Sequence, residues 1–199
     1  QYDLERVVAN CRAAFDTEVL LAPVSQIVRD SLPRILPKGA TVIEQDWTNL
    51  IHMPDWPPRP ARILATPVII GRHARPDRQK WPDSVGDATC AYPPDGNAFR
   101  VRILGGGPFL EEMYGVPPSN WEVLPFFYEG VAEFLHGLDF YVYFHSTAWS
   151  EAFGRTVLEA LAVGLVVILP SHFRQIFGEA AVYAKPREVK GTIARFVDD

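Results

Sequence analysis

The stretch "FYVYFHSTAWSEAFGRTVLEALAVGLVVILP", Phe140 to Pro170, decides the fold. Its opening "FYVYFH" is an apolar, aromatic run that reads as a buried strand. "TAWSEA" is a loop, and "FGRTVLEALAVG" has the spacing of a helix starting at about Phe153 or Gly154. "LVVILP" returns to an apolar run. Strand, helix and strand in this order form a parallel βα unit, sheltered on both faces, so its strands are apolar throughout.

The same alternation extends outward. Apolar runs "PVIIG" (67–71), "FRVRILG" (99–105), "WEVLPF" (121–126) and "AVYA" (181–184) are separated by helix-type segments such as "PFLEEMYG", "GVAEFLHG", "SHFRQIFGEA" and "PREVKGTIARFV". The expected fold is α/β, a Rossmann-like parallel sheet flanked by helices over 67–199. Such sheets bind ligands beyond the carboxyl ends of their strands.

Upstream the texture differs. Residues 2–14 have helical spacing, "EVLLAP" is a short strand and "VSQIVRDSL" is helical. From residue 33 to 66 the chain is rich in Pro and Trp, with one good strand, "ATVIEQ". Repeated Pro removes backbone donors, so this stretch is expected to connect two domains. The organisation expected is a tail of another domain in 1–32, a Pro-rich connection in 33–66 and the regular domain in 67–199. The first residue is Gln1 and the last residues fall inside a helical pattern, as expected for a fragment of a longer protein.

Composition narrows the function. With 48% apolar and 22% charged residues the chain is globular, and its net charge of −5 argues against a nucleic-acid partner. Cys11 and Cys90 lack partners at metal spacing and read as reduced thiols of a cytoplasmic protein. No run is long enough to span a bilayer, while peripheral attachment to a membrane stays open. His73 and His145 have no metal-type partners and are assigned loop or packing roles. The terminal "DD" is a chain end and no metal site is expected.

Three loops at strand ends carry the candidate residues. In "IIGRHARPDRQKWP", Arg72, Arg75, Arg78 and Lys80 against Asp77 give a net +3 in nine residues, suited to phosphate. In "RILGGGPFLEE" the glycines do not complete a dinucleotide fingerprint, since position 110 is Leu. A tight turn with Pro at the first helical position is the favoured reading, with Gly106 able to let backbone approach a ligand. The third is the opening stretch, where Glu151 precedes the helix and Glu159 lies inside it. On a helical wheel eight residues advance by roughly 80°, so both glutamates are expected to face the same side, separated by roughly 12 Å along the axis. The N–H groups of Phe153, Gly154, Arg155 and Thr156 between them form an anion site. Carboxylate, phosphate cradle, carboxylate is the order a nucleotide sugar demands, because carboxylates accept from sugar hydroxyls and repel phosphate.

"SEAFGRTVLEALAVGLVVILP" resembles the signature of two glutamates flanking seven residues found in retaining group 1 glycosyltransferases of the GT-B fold. "GRHARPDRQKWP" looks like their Gly-Arg…Lys loop, "ILGGGP" like their Val-Gly-x-Gly-Pro turn, and "LLAPVSQIVRDSL" like the segment leaving their N-terminal domain. The resemblance implies the donor-binding half of such an enzyme, with Arg72 and Lys80 on the donor diphosphate. It places Glu151 on the transferred sugar, the amides of Phe153 to Thr156 on sugar and distal phosphate, and Glu159 on the ribose. The reaction implied is metal-independent transfer, with retention, from a nucleotide-sugar donor to a carbohydrate, lipid or protein acceptor. No cofactor is implied, and the isolated fragment is expected to be inactive. The chain departs from the pattern at Ala152, where Gly is common, at Arg155, where a neutral residue is usual, and in the long Arg72–Lys80 spacing. The alternatives are another GT-B enzyme, such as a nucleotide-sugar epimerase or a phosphorylase, and a non-catalytic nucleotide-binding domain.

Overall fold

A computed structural model describes residues 3–127 and 130–197. Tyr2, at the start of the first expected helix, and the terminal Asp198 and Asp199 lie outside the described residues. The chain divides into two compact units, one of residues 1–50 with 151–153, the other of 51–150 with 154–199.

In the first unit, α1 (Leu4–Phe15) is capped by Asp3, which accepts from Arg6 N at 3.0 Å, and ends at Asp16 in the left-handed region. It leads into β1 (Val19–Leu21), α2 (Gln26–Ser31) and β2 (Ala40–Val42), with β1 and β2 paired in parallel. Ser25 caps α2, and its hydroxyl donates to Ala152 O. Arg29 then pins α2 to the following segment through Asp46, at 2.5 and 2.9 Å, and the carbonyls of Ile43 and Glu44. "ATVIEQ" is thus the strand expected within the Pro-rich stretch.

The second unit is a six-stranded parallel sheet: β3 (Val68–His73), β4 (Phe99–Leu104), β5 (Trp121–Leu124), β6 (Phe140–Val142), β7 (Val166–Leu169) and β8 (Val182–Tyr183). Their spatial order is β5-β4-β3-β6-β7-β8, every neighbouring pair parallel. The chain moves outward from β3 in one direction, then returns to start β6 on its other side. That reversal leaves a crevice at the carboxyl ends of β3 and β6, where α/β sheets hold ligands. At the opposite, amino ends of the same two strands Asp139 fixes their register, its carboxylate accepting from Ile69 N at 2.8 Å while its own N–H reaches Ile69 O at 2.7 Å.

Two cores cover the sheet. Strand alternation sends Val68, Ile70, Val101 and Ile103 to one face, under α3 (Val85–Ala91), α4 (Pro108–Tyr114) and α8 (Val189–Val197). Trp81 and Tyr92 stack there at 5.1 Å. The other face buries Tyr141, Val167 and Leu169 against α5 (Val131–His136), α6 (Arg155–Ala162) and α7 (Arg174–Phe177). Each such fully buried side chain stabilises the fold by about 1.5–3 kcal/mol.

Several boundaries differ from those expected; β5 and β6 end at Leu124 and Val142, short of the apolar runs that contain them. β3 continues two residues past Gly71, so Arg72 and His73 stand in the strand, opposite Ile103 and Leu104, and the basic loop begins only at Ala74. The helix after β6 begins at Arg155, because Gly154 adopts φ 90° and breaks the helical path. The helical-wheel relation between Glu151 and Glu159 therefore does not hold.

Candidate functional site at the carboxyl ends of β3 and β6

Consecutive residues of a strand face opposite ways, and the last two of β3 divide the crevice between them. Arg72 points to the Trp81 face. It is 2% exposed; Nη1 donates to Phe144 O at 2.7 Å and to Tyr92 OH at 3.4 Å, and Nη2 to Lys80 O. The guanidinium lies 4.9 Å from the Trp81 ring centroid and 4.7 Å from that of Tyr143. Among the described residues no carboxylate pairs with it, so a buried positive charge is held by carbonyl dipoles and aromatic faces. Arg72 braces the end of β3 to the Arg78–Lys80 turn and to the segment after β6.

His73 points the other way, towards α6. Its Nε2 lies 2.8 Å from Glu159 Oε2, and both side chains are buried. The other carboxylate oxygen of Glu159 accepts from Arg155 Nε at 3.1 Å, one helical turn earlier. Burial is the largest influence on His73 and lowers its pKa, against the opposing pull of Glu159 and with a further depression from Arg72. The ring is therefore neutral at pH 7 and acts as a hydrogen-bond donor. The hydroxyl of Tyr141 donates to His73 O at 3.1 Å and is itself bonded to Thr156, linking the first turn of α6 to the end of β3.

Loop 146–149 closes one side. Ser146 N donates to Gln79 O at 3.0 Å, and Asp83 accepts from Thr147 N at 2.8 Å and Thr147 Oγ1 at 2.7 Å. Hydrogen bonds from Ser146 and Thr147 hold the Asp83 carboxyl below its ordinary pKa. Lys80 Nζ sits 5.3 Å from the Trp149 ring centroid. Arg78 is spent on the carbonyls of Trp81, Pro82 and Asp83, while Arg75 is exposed. The basic loop is thus a set of differently employed cations, with Lys80 beside the loop that follows β6.

The glycine turn follows β4. Gly105 has φ 91°, and a Cβ there would fall 1.8 Å from Ala74 O. At Gly106 a Cβ would meet Val123 Cγ1 at 2.2 Å. Pro108 opens α4, so this is the tight βα turn expected, packed on β5 and on the segment after β3. Glu151 and the buried Phe153 group with the first unit, leaving Gly154, Arg155, Thr156 and Glu159 with the sheet.

Two groups were not singled out in the sequence as site members. One is Asp83. The other is a histidine pair, His145 Nε2 and His172 Nε2, 3.1 Å apart. His145 Nδ1 donates to Ser146 O at 2.7 Å, so its Nε2 accepts from His172. Burial, then the proximity of His145, lowers the His172 pKa. Among the described residues no group of three or more His, Cys, Asp or Glu side chains is gathered as for a metal ion. No helix among them is long and apolar enough to cross a membrane.

The six-stranded order and its crevice define an α/β domain of the GT-B glycosyltransferase fold. The chain superposes on Anabaena Alr3699/HepE, solved with UDP and glucose, with a TM-score of 0.65 at 16% identity. The match covers 98% of this chain and 57% of that one. It also superposes on a point mutant of S. aureus TarM, solved with fondaparinux, α-GlcNAc-glycerol and UDP, with a TM-score of 0.61 at 16% identity. That match covers 92% of this chain and 37% of the other. The chain thus spans little more than half of one relative and less of the other. No protein-family model matches the sequence, and no characterised protein matches it at the sequence level.

Proposed function

We propose that the chain carries the donor-binding part of a retaining, metal-independent glycosyltransferase that moves a sugar from a nucleotide sugar to an acceptor. Residues 67–199 form the donor domain in this reading, 1–32 the tail of the acceptor domain and 33–66 the connection. The observation that carries it is the buried carboxylate of Glu159, hydrogen-bonded to His73 and Arg155 beside the β3/β6 crevice. A carboxylate held in this way is an acceptor built for hydroxyls, and a nucleotide's ribose supplies a pair of them. The fold shared with a protein solved with UDP and glucose supports the same reading.

The roles follow from charge and reach. Lys80 and the first-turn amides of Arg155 and Thr156 bind the diphosphate, with Phe153 and Gly154 leading into that turn. Arg72 acts on the phosphates through its charge and by holding Lys80 O, since its guanidinium is enclosed in this arrangement. Gly106 lets backbone approach the donor. Glu151 is the catalytic carboxylate, contacting the hydroxyls of the transferred sugar. The leaving diphosphate is stabilised by fixed cations and amides aimed at the developing charge.

The test is titration of the full-length protein with UDP-, GDP- and ADP-sugars and the bare nucleotides. Glu159→Ala should weaken binding of the bare nucleotide, while Glu151→Ala should spare it and abolish transfer. Unchanged binding and turnover in both variants would sink the assignment.

A further inference from the structure

We propose that His73 is a positioning residue for Glu159: an uncharged imidazole, with its proton on Nε2, that sets the carboxylate for the ribose hydroxyls. The proposal rests on the reading of Glu159 as the ribose-holding group.

The geometry of the ring carries the inference. Its Nε2 is 2.8 Å from Glu159 Oε2, while Nδ1 is buried without a hydrogen-bond partner. Phe134 and Tyr141 surround the ring edge-on, at 6.3 and 5.5 Å between centroids. A proton on Nδ1 would therefore point into aromatic surroundings with nothing to accept it. The charged and titratable groups around it are Arg72 on its own strand, Tyr141 on β6, and Arg155 and Glu159 on α6. The donor is thus fixed at Nε2 and carries no charge. Glu159 keeps its full negative charge, and each carboxylate oxygen retains a lone pair for a ligand hydroxyl.

The other partner of Glu159 cannot set its direction as closely. Arg155 has a side chain that is 64% exposed, on a long flexible stem, whereas His73 is locked in a strand paired with β4. An aliphatic side chain would fill the same buried space without leaving Nδ1 unpartnered, so packing alone does not account for histidine here.

UDP, GDP and ADP are titrated calorimetrically against the full chain, and the tightest binder is carried forward with its 2′,3′-dideoxy counterpart. Glu159→Ala, His73→Leu, His73→Gln and the Glu159→Ala/His73→Leu double variant are compared. His73→Leu should weaken the ribonucleotide roughly tenfold, the size expected for losing a hydrogen bond to a charged group. His73→Gln should stay within roughly twofold, because its amide nitrogen reaches where Nε2 stood. The dideoxy ligand should lose nothing to His73→Leu, and neither should the Glu159→Ala background. A general structural defect would weaken both ligands alike.

Equal affinities of His73→Leu and wild type, or equal losses on ribo- and dideoxynucleotide, would overturn the positioning role while leaving Glu159 in place. Unchanged binding in Glu159→Ala would remove the ribose reading and this inference with it. If His73→Leu does not fold, His73→Gln against His73→Asn decides, since the Asn amide matches Nδ1 and not Nε2. Equal affinities in that pair overturn the proposal.

Discussion

Replacing Arg72 by Met isolates the brace at the head of the crevice. Met fills much of the same volume and removes a buried charge, which alone can be neutral or stabilising. It also leaves Phe144 O and Lys80 O without their donor, and forfeits the contacts over Trp81 and Tyr143. Hydrogen bonds from a charged donor are worth about 1.5–3 kcal/mol each, and a cation over an aromatic face about 0.5–2 kcal/mol. Setting the relief of burying no charge against these losses leaves a destabilisation of about 3 kcal/mol. For a chain of this size that is a drop in Tm of roughly 6–12 °C. Arg72→Lys keeps the charge and loses the planar fork, so roughly half the loss is expected. Urea unfolding of the three proteins, followed by near-UV circular dichroism from the aromatic cluster, measures this. A loss below about 1 kcal/mol for Arg72→Met would refute the brace, because neither carbonyl could then depend on the guanidinium.

Gly105→Ala should cost about 3 kcal/mol or more, combining a left-handed backbone with a Cβ 1.8 Å from Ala74 O, and thermal melting reads it directly. His73 and His172 both hold their pKa below the ordinary 6.5, with burial the largest cause. The unfolded chain takes up those protons more readily, so stability is full above about pH 6.5 and falls as pH drops through the lowered values. His172→Gln should flatten part of that slope in denaturation midpoints between about pH 7 and 5. Asp83, whose pKa is also lowered from 3.8, contributes stability that persists to more acid pH and is lost only as pH falls through its own depressed value. Asp83→Asn should therefore lower the amide-exchange protection factor of Thr147 at neutral pH and remove the loss of protection on acidification that the Asp83 carboxyl causes.

The sheet was legible because a parallel strand buried on both faces is an uninterrupted apolar run. "LVVILP" and "FRVRILG" became β7 and β4 nearly residue for residue. Polar residues hide strand ends: Arg72 looked like the start of a loop, and only tertiary contacts with Phe144 and Lys80 carbonyls make its burial tolerable. His73 reads in the sequence as a loop or packing residue because its partner, Glu159, is 86 residues away, although strand alternation places it on the face opposite Arg72. Glu159 stood out by its setting in an apolar helix. Its relation to Glu151 was misjudged because Gly154, read as part of the helix, turns the backbone left-handed instead. Asp83 gave no local signal, since the Thr147 it holds lies across the sheet's end.

The most direct measurement of the central claim is amide exchange of the full-length protein with and without a saturating nucleotide sugar. The account predicts protection of Arg155 and Thr156 at the start of α6, together with the segments after β3 and β6. Protection confined to the amino ends of β3, β4 and β5, at the groove lined by Pro67, Phe99 and Trp121, would contradict it.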